Sequence, residues 1–159
     1  MKGFLQRLFG NGPAPEKTAR PQGTSRLEIK PFSHGLVRIS ALDFFGPHAA
    51  SSDRRFHLIW QDRNPEGTVG GHRYEGHGSW TLLTDEGRVL ASGRLERPQY
   101  GHVAKNGMFI FSDWMFGDGL NSRLLAFRVD GQKIVDRPFS ANMASTGLSD
   151  DGRYAICQT

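Results

Sequence analysis

A glycine-rich stretch, GGHRYEGHG, holds the densest group of candidate metal ligands in the chain. Its three ligand-type side chains are His72, Glu75 and His77. Three such residues within six positions could bind a metal ion, but their spacing matches no standard zinc pattern. The glycines on both sides leave the stretch flexible, so closing a metal site there would cost conformational entropy. We therefore expect a solvated loop, with no metal ion and no cofactor.

Acidic and aromatic residues follow two predicted strands at comparable places. Asp113 and Trp114 come after the apolar segment Phe109–Ser112, and Asp62 comes after Phe56–Trp60. An aspartate at the end of a strand commonly accepts hydrogen bonds from nearby backbone amides. The same places can also face a ligand. Asp62, Asp113 and Trp114 are therefore the candidate ligand-binding residues. Packing between units is the expected role of Trp60 and Trp80, and the alternative role for Trp114.

The nucleophilic side chains have no base beside them that the sequence identifies. This holds for Ser145, Ser149 and Cys157. Because a serine or cysteine nucleophile needs an activating partner, no catalytic residue is assigned and a non-catalytic protein is favoured over an enzyme. Cys157 is the only cysteine, so no internal disulfide can form, which fits a reducing, cytoplasmic compartment.

The elements that would position these residues are short strands joined by glycine turns. The stretch Tyr100–Val135 predicts four strands, with tight turns at Asn106-Gly107 and Asp130-Gly131. Related turns recur at a regular spacing, since Gly87 and Gly131 lie 44 positions apart and Gly107 and Gly152 lie 45 apart. A looser copy surrounds Asp53-Arg54. Four strands in a period of about 40–50 residues are typical of propeller blades.

The central unit has a recognisable motif. A glycine-led strand (GHVA, 101–104) is followed by the turn glycine Gly107, an aromatic strand ending in aspartate (FIFSD, 109–113) and a third strand (RLLAF, 123–127) closed by Asp130-Gly131. This pattern resembles an NHL- or YVTN-type β-propeller repeat. The resemblance covers Tyr100–Val135 well, the flanking units in part and the first 30 residues not at all. Met115–Leu120 departs from the family pattern by lengthening one loop.

The resemblance implies an all-β fold, a partial β-propeller of about two and a half four-stranded antiparallel blades. A β-sandwich or barrel is the alternative. The last unit has no third and fourth strand in this sequence, so we expect a fragment of a longer propeller, or association through open blade edges. A protein partner, or the missing blades, would then complete the fold.

Two functions remain open. The first is a non-catalytic propeller-type module for binding or assembly, with an unknown ligand. The second is part of a propeller hydrolase or lactonase, because the resemblance implies that Asp113 and its counterparts could surround an axial metal. Propellers host many unrelated activities, so the motif predicts architecture only.

The N-terminal segment differs in composition from the remainder. Residues 1–25 include a stretch rich in proline and glycine, GNGPAPEKTARPQGTS, which predicts a disordered basic tail before a domain at 26–159. Residues 1–30 carry a net charge of +4 and the remaining chain is neutral. A neutral domain does not favour nucleic-acid binding. No apolar run reaches the length of a transmembrane helix.

The remaining expectations concern the first strands and the segments that connect the units. Leu27–Lys30 and Leu36–Ser40 are the first candidate strands, and Ala41–Ser52, with Gly46-Pro47, is expected to be a loop. Gln61–Gly78 is a polar insertion. Because proline lacks a backbone donor, Pro98 and the segment Pro138–Asn142 are expected to interrupt the chain between units.

Overall fold

The chain is an all-β protein. A computed structural model describes residues 27–64, 66–70, 72, 74–116 and 118–159, and the expected tail at 1–25 lies outside them. In the described part the only helical segments are single 3-10 turns at Ser33–Gly35 and Ser40–Leu42. None of its helices is long and apolar enough to cross a membrane.

Twelve strands follow one another along the described chain. The first six are β1 (Lys30–Pro31), β2 (Leu36–Ile39), β3 (Phe44–Ala50), β4 (Phe56–Gln61), β5 (Gly78–Thr84) and β6 (Val89–Leu95). The next six are β7 (Pro98–Val103), β8 (Phe109–Trp114), β9 (Ser122–Phe127), β10 (Lys133–Phe139), β11 (Ser145–Leu148) and β12 (Ala155–Gln158).

The strands form three antiparallel sheets with neighbours in chain order. One sheet contains β1 to β6, the second contains β7 to β10, and the third is the β11–β12 hairpin. The first half of β3 pairs with β2, and its second half pairs with β4. The four strands predicted within Tyr100–Val135 are confirmed as β7 to β10, although β10 continues to Phe139.

An aromatic core joins the six-stranded sheet to the four-stranded sheet. The six-stranded sheet contributes Trp60 and Trp80, which are paired across β4 and β5. Phe109, Phe111 and Phe127 come from β8 and β9. The rings of Trp80 and Phe109 lie 4.8 Å apart, and those of Phe109 and Phe127 are stacked at 5.0 Å. The expected packing role of Trp60 and Trp80 is confirmed.

Two smaller apolar clusters lie elsewhere on these sheets. One gathers around the β2 end of the six-stranded sheet: Val37, Ile39, Phe44, Ile59 and Leu83. The other contains Ile110, Leu124, Ala126 and Met143, and Leu148 and Cys157 of the β11–β12 hairpin pack on it. Cys157 is partly buried there, so its expected packing role is borne out by its position.

Three hairpins, β3–β4, β7–β8 and β11–β12, are numbered first to third in chain order. The turns of the first and third share one set of hydrogen bonds. In the β3–β4 turn the Ser51 hydroxyl donates to Asp53 and accepts from the amide of Phe56. In the β11–β12 turn Ser149 makes the same two bonds, with Asp151 and the amide of Tyr154. Short polar side chains hold a turn in this way because they replace a missing backbone partner.

The β7–β8 turn is tighter by one residue and has no such hydroxyl. Ala104 stands where the other two turns have serine, and its amide donates to the carbonyl of Met108. The corresponding bond in the third hairpin runs from the amide of Ser149 to Tyr154, one residue further along. The pairing of β7 with β8 at this turn therefore differs by one residue from that of β11 with β12.

The three hairpin turns contact one another. The guanidinium of Arg55 donates to the carbonyl of Lys105 at 3.0 Å. Lys105 in turn donates from its backbone amide to the carbonyl of Asp150, and its ammonium lies 3.0 Å from the Asp150 carboxylate. Asn106 donates from its amide side chain to the carbonyl of Asp151. These bonds bring the same end of each hairpin to one edge of the molecule.

The predicted loop at Ala41–Ser52 is wrong, because most of it forms β3. Gly46 and Pro47 predicted a turn, but both lie within the strand and pair with β2. A side chain at Gly46 would come within 2.9 Å of the Trp60 carbonyl and of the Phe44 ring. The glycine therefore marks a close approach of β3 to β4 and not a turn.

The expected breaks at Pro98 and within Pro138–Asn142 do fall where the chain passes from one sheet to the next, although each proline itself lies in a strand. Pro98 is the first residue of β7, and Pro138 lies inside β10 opposite Arg123. Both strands are edges of the four-stranded sheet, where a residue without a backbone donor is tolerated. The first candidate strand, Leu27–Lys30, is shorter than expected: the strand is Lys30–Pro31, while Leu27 donates from its amide to the Asp85 carbonyl.

Candidate functional site

Asp113 is a buried carboxylate near the end of β8. Its side chain is among the fully buried ones, with a relative exposure of 1% for the residue. One carboxylate oxygen accepts a hydrogen bond from the Arg97 amide at 2.7 Å, and the other accepts one from the Glu96 amide at 3.2 Å. Burial raises the pKa of Asp113 to about 6, against these two amides, which lower it. Both oxygens are thus engaged by the chain itself.

The three candidate residues predicted from the sequence all lie around Arg97. The carboxylate of Asp62 is 3.7 Å from the Arg97 guanidinium, and both side chains are mostly buried. Trp114 donates from its backbone amide to the Arg97 carbonyl at 3.0 Å, and its indole side chain is half-buried. Arg97 belongs to the connection between β6 and β7, which links the two larger sheets. These contacts hold that connection in place.

A cleft of about 560 Å³ opens beside Asp113, between the two larger sheets. Trp80 and Phe127 contribute apolar lining, and Arg123 and Lys133 contribute positive charge. Both cations pair with the carboxylate of Asp136, Arg123 through two hydrogen bonds. The two cations of this wall thus share a single carboxylate.

His77 of the glycine-rich loop lines the same cleft as Asp113, whereas His72 and Glu75 are not among its lining residues. His72, Glu75 and His77 are exposed, and Nε2 of His72 lies 3.5 Å from the carboxylate of Asp118. Within the ranges that the structure describes, no group of three or more His, Cys, Asp or Glu side chains is placed to hold a metal ion.

A histidine pair that the sequence did not reveal lies on the six-stranded sheet. Nε2 of His48 and Nδ1 of His57 are 3.0 Å apart, and the rings stack. Burial, and then the neighbouring His57, lower the pKa of His48 to about 4. A groove of about 400 Å³ beside the pair also contains Arg54 and Asp85. His48 belongs to the stretch that was expected to be a loop. Without a strand there, the sequence could not predict the pairing of β3 with β4 that brings His48 beside His57.

The outer edge of β12 is the most exposed apolar strand edge of the described chain. Tyr154, which precedes β12, is 72% exposed, and Ile156 is 73% exposed. β12 pairs with β11 on one side, and no described strand pairs with its other side. Its counterpart in the first hairpin, β4, pairs on both sides, with β3 and β5.

The outer edges of the two larger sheets carry charges or proline, whereas the strands β11 and β12 carry neither. β1 is Lys-Pro, β6 contains Arg94, and β10 contains Lys133, Asp136, Arg137 and Pro138. Charges and proline on edge strands prevent pairing with another chain. The sequence of β12 is Ala-Ile-Cys-Gln, so it lacks this protection.

Comparison with known proteins assigns no function to the cleft beside Asp113 or to the outer edge of β12. No family model, curated protein or solved structure matches the chain.

Proposed function

We propose that the chain is a non-catalytic β-propeller-type module for binding and assembly, which accepts a partner's β-strand at the outer edge of β12. The single observation that carries this proposal is the unprotected edge with Tyr154 and Ile156 exposed beside it. Added strands gain affinity from main-chain hydrogen bonds and specificity from alternating side chains. The partner is therefore a protein segment that can become extended.

The propeller architecture is supported by the strand order. β3 to β6 and β7 to β10 are each four antiparallel neighbours in chain order, and the β11–β12 hairpin begins in the same manner. The matching turns of the first and third hairpins support the same arrangement. β1 and β2, which extend the first sheet beyond β3, are an addition to the propeller pattern.

A non-catalytic role is supported by the state of the candidate acid. Each carboxylate oxygen of Asp113 accepts a hydrogen bond from a backbone amide, one from Glu96 and one from Arg97, so the chain itself accounts for the position of this carboxylate. Moving the carboxylate away to serve a ligand would leave those partly buried amides without acceptors, at a cost of about 1–3 kcal/mol each. The residue therefore fits a structural role better than the axial metal site of a propeller hydrolase or lactonase.

The incoming strand should resemble β5, which occupies the corresponding side of β4. β5 pairs with β4 through Leu83 opposite His57 and Thr81 opposite Ile59. By the common turn pattern, Ala155 and Cys157 of β12 correspond to His57 and Ile59. A strand with apolar residues at alternate positions would therefore pair with Ala155 and Cys157.

The test uses a synthetic peptide of residues 78–86, GSWTLLTDE, added in excess to dilute protein. We expect slower hydrogen exchange at the amides of Ala155 and Cys157, measured by NMR. The matched control peptide carries N-methyl groups on the residues equivalent to Thr81 and Leu83, which removes the main-chain donors and keeps every side chain. Equal protection by both peptides, or none by either, would contradict strand addition at β12.

A further inference from the structure

The backbone groups available at β12 follow from its pairing with β11. The carbonyl of Tyr154 accepts from the amide of Ser149, and the carbonyl of Gln158 accepts from the amide of Ala144. In an antiparallel pair, successive residues direct their backbone groups to opposite sides. The N–H and C=O groups of Tyr154, Ile156 and Gln158 therefore point toward β11, and those of Ala155 and Cys157 point outward.

The same geometry makes β12 complementary to its own copy. If two copies of β12 run antiparallel about a two-fold axis at Ile156, Ala155 of each lies opposite Cys157 of the other. All four residues then have outward backbone groups, so each Ala–Cys pair exchanges two hydrogen bonds. Such an isologous contact uses the same surface on both chains and closes without leaving a further edge at β12.

The side chains favour this register over its neighbour. With the axis at Ile156, the exposed Ile156 lies directly opposite the same residue of the copy, at a non-hydrogen-bonded position where side chains are closest. With the axis at Cys157, Ile156 would instead lie opposite Gln158, and less apolar surface would be buried. The first register also extends the exposed apolar face from Tyr154 of one chain to Tyr154 of the other.

We infer that the strand donor is a second copy of this chain, paired through β12 in the register that places Ala155 opposite Cys157. This inference rests on the proposed function, because both need an available outer edge at β12. The product is a four-stranded antiparallel sheet in the order β11, β12, β12 and β11. It has the same number of strands as the β7–β10 sheet.

Sedimentation velocity over a range of concentrations tests the association. We expect a monomer–dimer equilibrium for the full 159-residue chain and at least a tenfold weaker association for Ile156→Lys. Val135→Lys is the matched control, because Val135 is also exposed but lies on β10, whose charges already prevent pairing. Circular dichroism would verify that both variants remain folded. Equal weakening in both variants would overturn the assignment to β12.

Cysteine cross-linking tests the register. In a Cys157→Ser background, Ile156→Cys should form a covalent dimer on mild oxidation, because directly opposed residues of a non-hydrogen-bonded pair have Cα atoms about 4.5 Å apart, within disulfide range. Val135→Cys in the same background should remain monomeric. Faster cross-linking through the native Cys157 than through Ile156→Cys would overturn the register.

The peptide of residues 78–86 separates failure of this inference from failure of the proposed function. A chain that stays monomeric at every concentration and forms no cross-link contradicts pairing with a second copy. If the peptide still protects Ala155 and Cys157, the edge accepts a strand from another protein and the proposed function survives. If it does not, both proposals fail.

Discussion

The carboxylate of Asp113 accepts a hydrogen bond of 2.7 Å from the backbone amide of Arg97. Arg97 lies in the connection between β6 and β7, where the chain leaves the six-stranded sheet and enters the four-stranded sheet. Pro98 follows as the first residue of β7, and a proline has no backbone donor. The side chain of Asp113 thus provides the amides of Glu96 and Arg97 with the acceptors that a neighbouring strand would otherwise supply.

Replacing Asp113 should therefore lower stability. Asp113→Ala leaves two buried amides without acceptors, and we expect a loss of roughly 1–3 kcal/mol for each amide in the free energy of unfolding. Asp113→Asn should lose less, since its carbonyl oxygen can still accept one bond. Urea unfolding followed by fluorescence measures both values. An Asp113→Ala variant as stable as the native chain would show that these bonds are not important for stability.

Asp113 should also make stability fall as the pH rises. Its pKa is raised by burial to about 6 in the folded chain, whereas an unfolded aspartate has a pKa of about 4. The folded state therefore binds more protons between these values, so stability decreases from pH 4 to pH 6 by about 2–3 kcal/mol. Asp113→Asn, which has no proton to lose, should flatten that part of the curve. An unchanged slope in the variant would contradict the raised pKa.

Asp53 should have the opposite effect at lower pH. Hydrogen bonds from Ser51 and Arg55 lower its pKa to about 2 in the β3–β4 turn. A lowered pKa stabilises the folded state above pH 4, and this contribution disappears as the pH falls from 4 to 2. In chemical unfolding across that range, Asp53→Asn should show a weaker pH dependence than the native chain. A steeper dependence in the variant would exclude this assignment.

Gly107 should be more sensitive to substitution than Gly35. Both have positive φ angles, +80° and +73°, so alanine is strained at either position. A Cβ atom at Gly107 would lie only 2.6 Å from a methyl group of Val129, whereas one at Gly35 has no atom within 4 Å. We expect Gly35→Ala to cost about 1 kcal/mol and Gly107→Ala clearly more, measured by thermal unfolding. Equal costs would show that the contact with Val129 relaxes freely.

The fold class was predictable because turn chemistry is local. Gly107 and Gly131 have the positive φ angles that their Asn-Gly and Asp-Gly sequences predicted, and Arg54 adopts the same conformation in the β3–β4 turn. Strand boundaries near proline were not predictable. Whether Pro138 ends a strand depends on its lying at the edge of a sheet, and strand order is set by contacts distant in sequence.

The candidate site was partly predictable for the same reason. The sequence indicated Asp62, Asp113 and Trp114 as candidates for ligand binding. For the two aspartates it also predicted the alternative role of accepting hydrogen bonds from nearby backbone amides. It could not indicate that all three lie around Arg97, because that residue belongs to a different connection. The sequence shows that β12 contains no charged residue. Whether its outer edge is exposed depends instead on how the β11–β12 hairpin packs, which the sequence does not show.

Divalent ions should leave the melting temperature unchanged, which separates a binding module from the propeller hydrolase. A metal ion at Asp113 would compete with the amides of Glu96 and Arg97 for the carboxylate, and one at Asp62 would compete with the guanidinium of Arg97. We expect no shift on adding millimolar calcium, magnesium or zinc, or on adding a chelator, in differential scanning fluorimetry. A saturable rise that disappears in Asp113→Asn would support the enzyme, because a ligand stabilises only the state that binds it. A rise that disappears in His72→Ala would instead indicate metal binding by the glycine-rich loop.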